Sequence, residues 1–201
     1  MRLEIADGWV DFDRPRSATS LLVLTHGAGA SVTSPDVLAV RDAATANRIA
    51  VALVTQPYRV AGRRTPPKAA RQDEAWLAVL AGFLARRGVG SLPLVVGGRS
   101  NGARVACRTA AALGAVGVVA MAFPLHPPGK PENSRLAELE LPTVPVLVVQ
   151  GSRDPFGMPP PGRGRTIHVV EGADHSLRKQ FTAVPDVIVQ FVTSTSDHAT
   201  V

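Results

Sequence analysis

Ser100 stands in Gly98-Arg99-Ser100-Asn101-Gly102, a G-x-S-x-G stretch that follows the apolar run Leu94, Val95, Val96 and opens a segment of helical periodicity. A serine on so tight a strand-to-helix turn takes strained backbone angles. The flanking glycines leave room where a side chain would strike a neighbouring strand or helix. The hydroxyl is a weak nucleophile until a base accepts its proton. His175, in Gly172-Ala173-Asp174-His175, is the base this chain offers, and Asp154, in Gly151-Ser152-Arg153-Asp154-Pro155, is the acid that would hold its tautomer and stabilise the imidazolium. The chemistry these three spell is acyl transfer through a covalent serine ester. Glu132 is the second-choice acid, and Asp174 is too near in sequence to reach the adjacent imidazole.

Acyl transfer also needs backbone donors aimed at the tetrahedral oxyanion. The N–H of Asn101, directly after the serine and at a helix start, is one candidate. Ala28 in His26-Gly27-Ala28-Gly29 is the other, with Gly29 as second choice. Around them Gly27, Gly29, Tyr58, Arg99 and His126 are candidates for touching substrate. Tyr58, Arg59, Arg63, Arg64 and Arg99 offer a place for an anionic substrate group, with ion pairing to Asp73 and Glu74, or plain solvation, as the alternative and favoured use of the arginines. His26 reads as a brace for its own loop, Cys107 as a small core residue, and His168 as structural. No two histidines on one element have metal-ligand spacing, so no metal is expected, and serine acyl transfer implies no cofactor.

The elements that must position these groups alternate. Leu3 to Ile5 and Trp9 to Phe12 read as an antiparallel hairpin about an Asp7-Gly8 turn. Leu21 to Thr25, Ile49 to Val54, Leu94 to Val96, Val116 to Met121, Val144 to Val149 and Thr166 to Val170 read as buried strands. Helices are expected from Ser34 as cap, across Trp76, Leu80, Phe83 and Leu84, from the serine turn to Gly114, near Arg135 to Leu139, and over Val184 to Val192. Tyr58 to Pro67 reads as loop, and the tail from Thr193 as frayed. This pattern predicts an α/β fold with a mostly parallel sheet covered by helices on both faces, in one domain spanning 1–201. In such a sheet ligands gather at the carboxyl ends of the strands, and His26 to Ala30, Ser100, Asp154 and His175 all fall at such ends.

Composition narrows the function classes. The chain has 201 residues, one cysteine and a net charge of +6 carried almost wholly by arginine, since Lys68, Lys130 and Lys179 are the lysines. A single thiol excludes an internal disulfide. The arginines are scattered and aromatic residues scarce, so no nucleic-acid surface is expected. No apolar run has the length of a membrane span, and Glu4 and Asp7 interrupt any signal-peptide pattern, which makes the cytoplasm the expected compartment. The expected partner is a small acyl substrate. Oligomeric state is open.

The stretches LTHGAGA, GGRSNGAR, FPLHPPGKPE, QGSRDPFG and GADHSL together resemble those of α/β-hydrolases, with the chain order Ser, Asp, His of that superfamily. Within it they are similar to the compact, lidless dienelactone-hydrolase-like group. More closely they resemble its subgroup that includes a testis-expressed animal protein and a scaffold subunit of a histone-acetyltransferase complex. The resemblance implies a three-layer fold without a lid domain, a Ser100, Asp154, His175 triad, and a serine esterase without an assigned substrate. It also implies an alternative, a non-catalytic interaction module on the same scaffold. Two departures stand out. Asn101 and Ala103 occupy positions where the group carries methionine and glycine, and dienelactone hydrolases carry cysteine where this chain has Ser100.

Overall fold

The computed structural model describes residues 1–177 and 181–199. Strands β1 (Arg2–Ile5), β2 (Gly8–Asp13), β3 (Ser20–Thr25), β4 (Ile49–Thr55), β5 (Leu94–Arg99), β6 (Gly117–Met121), β7 (Val146–Gly151) and β8 (Arg165–Val170) form one sheet in the order β1-β2-β4-β3-β5-β6-β7-β8. β1 and β2 pair antiparallel, as do β2 and β4, and every later pairing is parallel. The helices are α1 (Pro35–Ala46), α2 (Pro57–Val60), α3 (Ala69–Leu84), α4 (Asn101–Thr109), α5 (Leu136–Leu139) and α6 (Val184–His198).

Burial on both faces explains the continuous apolar strands. In β3, Leu21 and Val23 face Trp76, Phe83 and Val105 on the α3–α4 side, while Leu22 and Leu24 face Val37, Val40, Ile188 and Val192 on the α1–α6 side. The period-two alternation of a strand distributes one apolar run between two cores. Between β6 and β7 the chain contributes only the one-turn α5, and no lid domain stands among the described residues.

The structure corrects several local expectations. The hairpin turns on Ala6-Asp7, both at positive φ (45° and 62°), with Ile5 opposite Gly8 in register, rather than on Asp7-Gly8. Gly8 is instead a strand residue whose Cβ would lie 2.7 Å from Val79 Cγ2, so the glycine answers to packing against α3. Ser34 occupies the N-cap of α1 without any side-chain cap bond. The segment after β4 starts with the helical turn α2 before becoming loop. Helix α4 ends at Thr109, short of Gly114, and the chain reaches β6 through turns. The tail is ordered further than expected: α6 continues through Thr193 to His198, with Val192 and Ser196 buried. The last residues of that expected tail, 200 and 201, lie outside the described residues.

Candidate active site

β5 ends in the turn that carries Ser100. Its backbone sits at φ 54°, ψ −113°, a region L-residues rarely visit, and its N–H donates to Met121 O at 2.8 Å. The two glycines hold this turn in place by what they lack. A Cβ on Gly98 would meet Gly102 C at 2.6 Å and Thr25 O at 2.9 Å, and one on Gly102 would meet His26 O and Thr25 O at 2.8 Å. The turn therefore nests directly against the end of β3.

His175, after β8, has its Nε2 at 2.9 Å from Ser100 Oγ and its Nδ1 at 2.9 Å from Asp154 Oδ2. With Nδ1–H donating to the carboxylate, Nε2 is left to accept from the serine. The Asp154 side chain is only 1% exposed. Phe156 N–H donates to its Oδ1 at 2.9 Å, and Gln150 Nε2–H donates to its Oδ2 at 2.8 Å. Phe156 also lays its ring on the imidazole, centroids 4.1 Å apart. The structure thus brings together the three residues singled out by chemistry. Glu132, the second-choice acid, is exposed and, among the described residues, bonded only to its neighbour Asn133.

The loop after β3 is fixed from below. His26 is buried; its Nδ1–H donates to Gly27 O at 2.9 Å, and its Nε2 accepts from Gln56 N–H at 3.1 Å. Burial, with a smaller contribution from the Arg59 charge, holds its pKa below the ordinary 6.5 against the opposing pull of the Gly27 bond, so it is the neutral form that braces the loop. Ala30 N–H also donates to Gly27 O at 3.1 Å. Across a trans peptide the C=O and the following N–H point in opposite directions. Clamping the Gly27 carbonyl therefore turns the Ala28 N–H outward, on a loop whose Gly27 Cβ position lies 3.2 Å from Ser100 Cβ. Neither that N–H nor the one on Asn101 has a hydrogen-bond partner among the described residues.

The candidate substrate contacts separate. Arg99 is engaged: its guanidinium pairs with Asp36 at 3.1 Å and its Nη2–H donates to His175 O at 2.7 Å, tying the start of α1 to the histidine loop. Tyr58 is buried with its ring 5.7 Å from that of His26, and burial pushes its phenol up to about 12. His126 packs on the Asp154 loop, its Nε2 filling the space a Gly157 Cβ would need and its backbone N–H donating to Phe156 O. Asp73, the expected partner of the loop arginines, belongs instead to Arg108 of α4, at 2.6 Å.

A cavity of about 620 Å³ is lined by Ala30, Ser31, Ser34, Arg99, Leu177 and Phe181 among others, with Arg99 next to Ser100 in sequence. A hollow of about 720 Å³ bounded by Asp13, Arg41 and Ala46 lies at the amino ends of the strands, away from every group described above. Among the described residues no three His, Cys, Asp or Glu side chains cluster as metal ligands.

Gln150 escaped sequence reasoning. Fully buried at the end of β7, its amide donates to Asp154 Oδ2, Phe123 O and Gly157 O at 2.8, 3.2 and 2.9 Å. The only local signal is a polar residue closing an apolar strand four positions before the acid.

A family model described as an alpha/beta hydrolase domain matches residues 18–184. The chain belongs to that family. Solved structures similar to this α/β-hydrolase include a dienelactone hydrolase from Anabaena variabilis, at 16% identity and TM-score 0.74, covering 96% of this chain and 95% of that one. A serine hydrolase without lid from Xanthomonas campestris matches at 18% identity and TM-score 0.71, over 96% and 93%. Est1E from Butyrivibrio proteoclasticus, with ferulic acid bound, matches at 14% identity and TM-score 0.74, over 97% and 98%. At such identities the likeness is one of fold. Comparison with curated proteins gives no match. No helix among the described residues of this α/β-hydrolase is long and apolar enough to cross a membrane.

Proposed function

We propose that this α/β-hydrolase is a serine esterase that cleaves a small carboxylic ester or thioester through an acyl-enzyme. The observation that carries the reading is the continuous chain from Ser100 Oγ through both ring nitrogens of His175 to Asp154, each link at 2.9 Å. In the first step Ser100 Oγ attacks the substrate carbonyl while its proton passes to His175 Nε2. The resulting oxyanion is received by the N–H groups of Asn101 and Ala28. One such donor is worth about a hundredfold to a thousandfold in turnover. Collapse expels the alkoxide or thiolate, which takes the proton from Nε2–H. Water then attacks the ester, gives its proton to Nε2, and Ser100 leaves with that proton restored.

Throughout, Asp154 keeps its charge against the imidazolium, with Gln150 and Phe156 N–H holding it in place. The cavity bordered by Ala30, Arg99 and Leu177 is where we place part of the substrate, since its lining residues adjoin the oxyanion loop, the serine and the histidine in sequence. The nearer relationship to the testis-expressed subgroup and a cytoplasmic location are part of the same proposal.

Incubation with a fluorophosphonate, followed by intact mass measurement, tests the reading. Wild type gains one adduct, while Ser100→Ala and His175→Ala gain none. A folded wild type that stays unmodified refutes it and favours the interaction module.

A further inference from the structure

The cations of α2 and the loop after it lack ion-pair partners among the described residues. Arg59, Arg63, Arg64 and Lys68 make no ion pair within 4 Å among the described residues. Asp73 is held by two nitrogens of Arg108, at 2.6 and 2.7 Å, on another face of α3, and Glu74 stands exposed without an ion pair. Of the acids on flanking elements, Asp36 is committed to Arg99, while Glu4 and Asp7 share the cavity beside the hairpin with Arg63 and Arg71. Arg59 and Arg64 remain unanswered.

The segment that carries these two borders the oxyanion loop. The Arg64 carbonyl is 3.8 Å from the Cβ position of Gly29, so its segment rests on the oxyanion loop, and that loop touches Ser100 through Gly27. Arg59 closes the other end of the segment through an Nη1–H bond to Arg63 O at 3.2 Å, and its charge is felt by the buried His26 under the same loop. A half-buried and an exposed arginine placed this way form a positive field beside the oxyanion loop.

We infer that the substrate carries, besides its scissile acyl group, a second, anionic group received by Arg59 and Arg64. The inference rests on the acyl-transfer reading above. A guanidinium meets a carboxylate in a planar, bidentate fork, so the pair orients such a substrate as well as attracting it.

The test uses two fluorophosphonates of equal length, one ending in a carboxylate and the other in its methyl ester. Their rates of Ser100 modification are followed by intact mass across a salt series. Two charges at roughly 8 Å in water favour the anionic probe by about fivefold. The ratio falls toward one near 1 M salt, where the Debye length is about 3 Å. The Arg59→Gln, Arg64→Gln double variant lowers the ratio, whereas Arg87→Gln, at the amino ends of the strands, keeps it. If both probes modify wild type at equal rates at low salt, or the ester reacts faster, the inference is overturned while the hydrolase reading stands. If neither probe modifies the folded protein, the hydrolase reading fails and this one with it. Equal rates on wild type overturn the inference even where a variant folds poorly, and a folded double variant that keeps the wild-type ratio overturns it as well.

Discussion

Replacing Gln150 by glutamate puts a second carboxylate where the amide N–H now donates to Asp154 Oδ2 at 2.8 Å. Two ionised carboxylates there repel. Even after they relax to about 4 Å, their coupling at an effective dielectric of about 20 is roughly 4 kcal/mol, or about three pH units. The pair therefore keeps one shared proton from the ordinary carboxyl range near 4 up to about pH 7. While that proton is present, the introduced carboxyl donates to Asp154 much as the amide does. Once it leaves, Asp154 loses a donor and gains a neighbouring charge. The variant's rate of fluorophosphonate labelling should thus follow wild type in acid and fall between about pH 7 and 8, an alkaline limb that wild type lacks. The folded pair binds its proton more tightly than the unfolded chain does, so variant stability also declines as pH rises above the ordinary carboxyl value. Circular dichroism at each pH separates unfolding from loss of reactivity. Gln150→Leu, which cannot donate, should be slower at every pH and less stable by about 3 kcal/mol, since it strands buried acceptors. If Gln150→Glu labels in parallel with wild type up to pH 9 while folded, Gln150 does not position Asp154.

Two further outcomes follow from the charged and buried groups. The pKa of His26 is lowered by folding, so the unfolded chain takes up a proton first on acidification; this contribution to stability is complete above about 6.5 and is lost below it, at up to about 1.4 kcal/mol per pH unit. Denaturant titrations between pH 7 and 5 should show a shallower decline for His26→Asn, although that variant is less stable at pH 7. For Glu138, burial alone would raise the pKa, yet the bonds from Arg104 at 2.6 Å and Arg108 at 3.0 Å outweigh it and the net shift is downward. Its stabilisation is present above the unfolded value and lost as pH falls below it, so Glu138→Gln should cost about 2 kcal/mol at pH 7 and progressively less below pH 4.5 by the same titration.

Much of the fold was legible because burial on both faces leaves a plain mark: β3, β4 and β7 are uninterrupted apolar runs. Ser100, Asp154 and His175 were legible as candidates because each follows the carboxyl end of an expected strand. What stayed hidden depends on partners distant in sequence. Gly8 looked like a turn residue, and only the approach of Val79 from α3 shows why a side chain is excluded there. Arg99 looked free to bind substrate, and only the arrival of α1 brings Asp36 to it. Gln150 belongs to an apolar strand and is chemically silent until the loop carrying Asp154 folds back over it. The continuation of α6 past Thr193 was missed because Thr193, Ser194, Thr195 and Ser196 are poor helix formers, and packing against the sheet overrides their preference.

The left-handed backbone of Ser100 has a consequence for how this protein can be improved. A glycine at that position would relieve the unfavourable angles and leave a sturdier chain with nothing to offer a carbonyl. Selection for thermal endurance alone would therefore drift toward erasing the nucleophile proposed above. A laboratory seeking a hardier variant must screen for labelling at Ser100 in every round, or the most robust clone will be an inert one.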